Sequence, residues 1–198
     1  IALALADQGC DVLLTGRDAQ ALDAVAQSIR DKGRKAAVHV LDLCEPRAAE
    51  RLVDSVRREF GGLDILVNNA GATKRGDFFE LTDADWEAGY ALKLFAHVRL
   101  TRVAWPLLKE RGGALVAIAG TSGRKPEKHF TIGSSVNAAV AAFTKCLAHL
   151  GKEDGVRVNC IHPSLVETER QWRRIRAEVE RTGQPEADIR AQFCRETG

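Results

Sequence analysis

Short, continuous apolar runs punctuate this chain, and each is separated from the next by a longer stretch with helical apolar spacing. The runs are Asp11–Thr15, Ala36–Leu41, Asp64–Asn68, Ala114–Ala119 and Val156–Ile161. Between them, Asp18 caps a helix that carries Leu22, Val25, Ala26 and Ile29 on one face. Pro46 opens a second helix with Leu52, Val53, Val56 and Phe60, which Gly61-Gly62 terminates. A long helix from about Thr82 to Lys109 and an alanine-rich one from Ser134 to Leu150 complete the alternation. Strands without polar alternation are buried on both faces, and helices of ten or more residues between them supply parallel crossovers. The pattern predicts a doubly wound α/β fold: a parallel sheet with helices on both faces. Ile1 to Gly9 reads as the body and end of a helix that lacks a start signal.

After Leu165 the composition changes. Charged residues are interleaved with Trp172, Ile175 and Val179 at helical spacing, which predicts one helix over the core, either a lid over a ligand or a plain surface helix. The 198 residues suit one domain, 1–198, and 45% hydrophobic with 28% charged residues is an ordinary globular composition. With 29 Lys and Arg against 27 Asp and Glu, the net charge of +2 argues against nucleic-acid binding. Cys10, Cys44, Cys146, Cys160 and Cys194 form no CxxC pair and lack histidines at zinc spacing, so neither a metal site nor a disulfide framework is expected. No apolar run approaches the ~18 residues of a membrane span. These features together predict a cytoplasmic protein with no membrane partner.

The run Asp64-Ile-Leu-Val-Asn-Asn-Ala-Gly71 closely resembles the NNAG signature of the short-chain dehydrogenase/reductase family. Asp42-Leu43, Trp86 and the stretch from Val156 to Thr168, similar to the family's RVNxxxPGxxxT, stand at the family's spacing. The resemblance covers the whole chain and implies a Rossmann-type fold. It also implies that the first strand, with its Gly-rich phosphate turn, and the last strand are absent from this chain, with 165–198 as lid helices.

The resemblance implies a nucleotide site along the strand ends. Arg17, with no acid at Thr15 or Gly16, suits a 2′-phosphate and so NADP over NAD; alternatively it is a solvated residue opening a surface helix. Asp42 and Leu43 correspond to the adenine edge, and Asp42 also suits an N-cap ahead of Pro46. Asn69, Ala70 and Gly71 correspond to the cofactor ribose, or form only a tight strand-end turn. Val166 and Thr168 match residues that touch the nicotinamide carboxamide, although Ser164 replaces the usual Gly.

At the catalytic positions the sequence departs from the family, which uses a Tyr acid, a Lys four residues later, a Ser and an Asn. The resemblance puts Gly133 at the Tyr position, Asn137 at the Lys position, Gly120 at the Ser position and Lys93 at the Asn position. The only tyrosine is Tyr90, and no YxxxK exists in any register. Tyr90, Lys93 and His97, spaced by three and four, are expected on one helix face, either as a substitute acid cluster or as core and interface residues. His129 is a further candidate acid, or a plain loop histidine. Two functions follow: an NADP-dependent oxidoreductase with a non-standard site acting on a small-molecule carbonyl or alcohol, or a catalytically silent relative that binds nucleotide or metabolite as a sensor or partner subunit. The long helix and the alanine-rich helix match the pair through which the family forms homodimers and homotetramers.

Overall fold

The computed structural model describes residues 1–197, the side chains of Arg170, Glu196 and Thr197 excepted. The predicted alternation is present: α1 (Ala2–Asp7), β1 (Val12–Gly16), α2 (Ala19–Arg30), β2 (Ala36–Val40), α3 (Ala48–Phe60), β3 (Ile65–Asn68), α4 (Asp83–Tyr90), α5 (Ala96–Arg111), β4 (Ala114–Ile118), α6 (Thr131–Asp154), β5 (Arg157–Ile161), α7 (Glu169–Thr182) and α8 (Glu186–Thr197). Asp18 caps α2 as its sequence predicts, accepting a hydrogen bond from the Ala21 amide at 3.0 Å.

All strand pairs are parallel, and the fold is the doubly wound α/β type. The strands form two sheets: β1 beside β2, and β3, β4 and β5 in that order. A cavity of about 930 Å³ lies between the facing edges, lined by β1 on one side and β3 on the other. The main core lies where α3 and α5 meet the larger sheet. Leu52, Val53, Val56, Leu100, Leu107 and Leu108 close there on Leu66 and Leu115, each buried side chain contributing ~1.5–3 kcal/mol. Asn68 ties β3 to α5 through a buried hydrogen bond from its amide to Thr101 Oγ1 at 2.9 Å.

One expectation changes. The predicted long helix is interrupted by a wide π-helical turn, Ala91–Phe95, between α4 and α5, and such a turn advances the following residues around the axis. The helix expected from Trp172, Ile175 and Val179 is α7, and α8 follows it. Gly183 stops α7 at φ +68°, and α8 starts after Pro185. Ile175, Ile189 and Phe193 form a small apolar cluster between them, backed by Leu165, Trp172 and Val179.

Candidate active site

Because every strand is parallel, their C-terminal ends lie along one edge of each sheet, and the loops that follow form a rim. At its outer end Arg17 follows β1 and stands largely in solvent, its side chain 73% exposed, with Nη1 3.7 Å from Asp42 Oδ2. The other Asp42 oxygen accepts the Cys44 amide at 2.8 Å. The N-cap expected of Asp42 is therefore not formed: its carboxylate is engaged two residues on, and α3 begins at Ala48 behind Arg47 in the left-handed conformation, φ 57°. Leu43 packs against the core, and its carbonyl accepts from Arg99 Nη2 at 3.4 Å.

After β3 come Asn69, Ala70 and Gly71. The Ala70 carbonyl is 2.8 Å from His97 Nε2, so His97 is buried beneath this turn and holds it from below. Burial pushes the His97 pKa down, against the opposing pull of the Ala70 hydrogen bond, and the positive charge of Lys93 adds to the lowering. Gly71 faces the inner end of the rim, a cavity of about 470 Å³ between the strand ends, the start of α6 and the loop leading into α7. Val166 and Thr168 line its far wall. Thr168 also caps α7, its hydroxyl accepting from the Gln171 amide at 3.4 Å.

Lys93 enters this cavity from the π-helical turn. Its methylene chain lies so close to Gly71 that a Cβ there would come within 2.9 Å of Lys93 Cδ. Its Nζ donates to the Ala119 carbonyl at 3.3 Å. Asn137 is buried on α6, and its amide nitrogen donates to Ser122 Oγ at 2.9 Å. The same nitrogen would lie 2.8 Å from a Cβ on Gly120. Gly120 and Asn137 are thus a matched pair: a side chain at 120 requires the amide to move.

Gly133 has a similar counterpart. A Cβ on Gly133 would fall inside the van der Waals envelope of the Phe130 ring. That ring is buried and capped by the Arg75 guanidinium 3.8 Å from its centroid, and Arg75 is in turn paired with Glu127 at 2.8 Å. With the Arg75 side chain one-third exposed, a cation–π contact of this kind is worth ~0.5–1 kcal/mol. Phe130 therefore fills the space into which a side chain at 133 would project.

The expected grouping of Tyr90, Lys93 and His97 on one face is not found. Only Lys93 lines the cavity, because the π-helical turn changes the spacing on which the three-and-four rule depends. Tyr90 stacks on Trp86, ring centroids 6.3 Å apart, and His97 lies under Ala70. His129 is exposed, and its backbone carbonyl accepts from the Gly76 amide at 3.2 Å. Among the described residues neither Tyr90 nor His129 lines the cavity. The sequence reading missed Phe130, Ser122, Arg75, Glu127, Gln171 and Arg174, all of which do. One signal was available: Phe130 precedes Gly133 by three residues, one helical turn, where a ring covers a glycine.

The sequence pattern of the short chain dehydrogenase family matches residues 1–179. The chain is 37% identical over 170 residues to an uncharacterised oxidoreductase of Mycobacterium tuberculosis, a match that covers 85% of this chain and 64% of that protein. In fold it is similar to the L-sorbose reductase of Gluconobacter frateurii, solved with NADPH and L-sorbose. The TM-score is 0.87 at 33% identity, over 92% of this chain and 71% of that one. It is also similar to an NADPH-bound short-chain oxidoreductase of Pseudomonas aeruginosa described as containing an atypical catalytic center, with a TM-score of 0.83 at 31% identity over 90% of this chain and 70% of that one. With a matching family pattern over most of its length and a doubly wound fold whose strand ends carry the Asn69-Ala70-Gly71 turn, the chain belongs to the short-chain dehydrogenase family.

Proposed function

We propose that the protein is an NADP-dependent oxidoreductase that interconverts a small carbonyl compound and its alcohol, with Lys93 as the proton-transferring group. The observation that carries this reading is the exchange inside the cavity. The Phe130 ring fills the space beside Gly133, and Lys93 is the cation nearest the Gly71 turn. In this reading Gly120, Gly133, Asn137 and Lys93 stand at the family's Ser, Tyr, Lys and Asn positions, so the usual acid is absent and its place is closed.

The rim suits a dinucleotide. Arg17 offers a guanidinium fork to a 2′-phosphate, Asp42 and Leu43 border the adenine, and the small residues Asn69, Ala70 and Gly71 let a ribose approach the backbone. Val166 and Thr168 line the cavity where a carboxamide would rest. When bound, the nicotinamide supplies or accepts the hydride. Lys93 gives a proton to the substrate oxygen as the carbonyl carbon is reduced, then regains one from water; in the oxidising direction the neutral amine takes that proton. Ser122, whose oxygen accepts from Asn137, keeps its own hydroxyl proton to orient the substrate oxygen. NADP binding over NAD is part of the same proposal, and the L-sorbose reductase and the Pseudomonas oxidoreductase, both solved with NADPH, support it.

We read residues 1–198 as one dinucleotide-binding domain in which 165–198 acts as a lid, since α7 contributes Gln171 and Arg174 to the cavity wall. Self-association uses α5, which follows the exposed Phe95 of the π-helical turn, and α6, where Ala138 and Ala142 are exposed. A reducing, cytoplasmic setting fits five cysteines that are all unpaired.

A second reading, a nucleotide-binding sensor without catalysis, draws on the Lys93 bond to the Ala119 carbonyl, which gives Lys93 a structural use. One experiment separates the two: NADPH oxidation by the full-length protein against a panel of ketones and aldehydes, beside direct NADPH binding. Turnover that falls in Lys93→Met supports the enzyme. NADPH binding with no turnover on any carbonyl supports the sensor.

A further inference from the structure

The charged side chains around the catalytic cavity are of unequal sign. Arg75, Lys93 and Arg174 line it against one carboxylate, Glu127, so the lining carries three positive charges and one negative, a net +2. Glu127 is bonded to Arg75 at 2.8 Å, while Lys93 enters from the π-helical turn and Arg174 from α7.

The α7 wall has a further feature. Gln171 and Arg174 are three residues apart and share the helix face turned to the cavity. Gln171 Nε2 is buried with no hydrogen-bond partner among the described residues. A buried amide donor left in that state is costly, so an acceptor on a ligand would be favourable there. Arg174 lies over the Phe193 ring, 4.3 Å from its centroid, which fixes the plane of its guanidinium fork. A planar fork beside an amide donor is a donor set for a carboxylate or phosphate.

We propose that the substrate is an anionic carbonyl or alcohol compound, its carboxylate or phosphate held by Arg174 and Gln171 while its reacting oxygen meets Lys93. The proposal rests on the reading of this cavity as the substrate site. It gives the lid segment a specific task, since both anion-binding groups come from α7 and the aromatic support under Arg174 comes from α8.

The test uses the full-length protein with NADPH and two matched pairs: acetoacetate against methyl acetoacetate, and dihydroxyacetone phosphate against dihydroxyacetone. The expected result is a kcat/KM at least about tenfold higher for the charged member of one pair, in line with a charge-assisted hydrogen bond. Which pair shows it identifies the carboxylate or the phosphate. Arg174→Gln should erase that preference, whereas Arg176→Gln, on an exposed residue paired with Glu169, should retain it. Equal use of charged and neutral substrates, or a preference that survives Arg174→Gln, overturns the proposal. So does a loss of NADPH affinity in Arg174→Gln with the substrate preference intact, which would assign Arg174 to the cofactor. Should Arg174→Gln fail to fold, Gln171→Leu serves in its place, with the same outcomes. If no carbonyl is reduced, the oxidoreductase reading fails separately. Calorimetric binding of acetoacetate and of inorganic phosphate, with NADP present, then decides this one: binding that Arg174→Gln removes supports it, and no binding to the parent protein overturns it.

Discussion

The two ends of the rim are built in opposite ways. At the outer end Arg17 and Asp42 face each other at 3.7 Å in solvent, with the arginine side chain 73% exposed, and such a pair contributes only ~0–1 kcal/mol to stability. At the inner end the groups are interlocked: Asn137 against Gly120, Phe130 against Gly133, and Lys93 against Gly71. An exposed charge can be exchanged alone and alters one interaction. Interlocked groups change in sets, because a side chain at one position needs space that its neighbour already occupies. At the inner end each of the three glycines is matched to the side chain that fills the space beside it.

The largest expected effect lies there. Lys93→Met should lower NADPH-driven carbonyl reduction by ~10² to 10⁴, the contribution of a general acid, while NADPH affinity measured by fluorescence titration stays within about threefold. A fall of less than threefold in rate would remove Lys93 from the chemistry.

Next in size is a tyrosine placed at position 133. Gly133→Tyr in the parent protein should be destabilising by ~1–3 kcal/mol, because its side chain and the Phe130 ring compete for one space. The melting temperature should drop by roughly 2–4 °C per kcal/mol. In a Phe130→Ala background the same substitution should cost less, with a coupling of about 1 kcal/mol or more in the double-mutant cycle. Strict additivity would show that the two positions do not share that space.

At the outer end Arg17→Ala should weaken NADPH about tenfold, the lower part of the range for a charged hydrogen bond because the site is exposed, and leave NADH nearly unchanged. Equal weakening of both cofactors would make Arg17 a general surface charge.

The smallest effect is a pH dependence centred beneath the Ala70 turn. Burial holds the His97 pKa below its ordinary value of about 6.5. Below that pH the unfolded chain takes up a proton at His97 that the folded chain does not, so stability falls as pH drops through about 6.5. Melting temperatures from pH 8 to pH 5 should show this decline, and His97→Asn should flatten it.

The fold was legible because apolar periodicity is a local signal: five strands and the helices between them follow from spacing alone. The Asp18 cap was legible for the same reason. The π-helical turn was not, since it is set by how Lys93 and its neighbours pack and has no composition of its own, and it broke the expected grouping of Tyr90, Lys93 and His97. The alternative reading of Asp42 as a cap fails because its loop offers the Cys44 amide sooner than α3 offers its own. The spacing of Trp172, Ile175 and Val179 made α7 legible, and Gly183 with Pro185 marks where it stops. At Gly120 and Gly133 the resemblance implied a Ser and a Tyr that the sequence does not have. Only coordinates could show that Asn137 and Phe130 occupy their space.

In the proposed reaction, binding and chemistry are divided between the two ends of the rim. Lys93→Met and Arg17→Ala, measured side by side for NADPH affinity and for the single-turnover rate of carbonyl reduction at saturating NADPH, test that division. A crossed pattern is expected: Lys93→Met loses rate and keeps affinity, and Arg17→Ala loses affinity and keeps rate. Parallel losses in both variants, or no loss of rate in Lys93→Met, would contradict it.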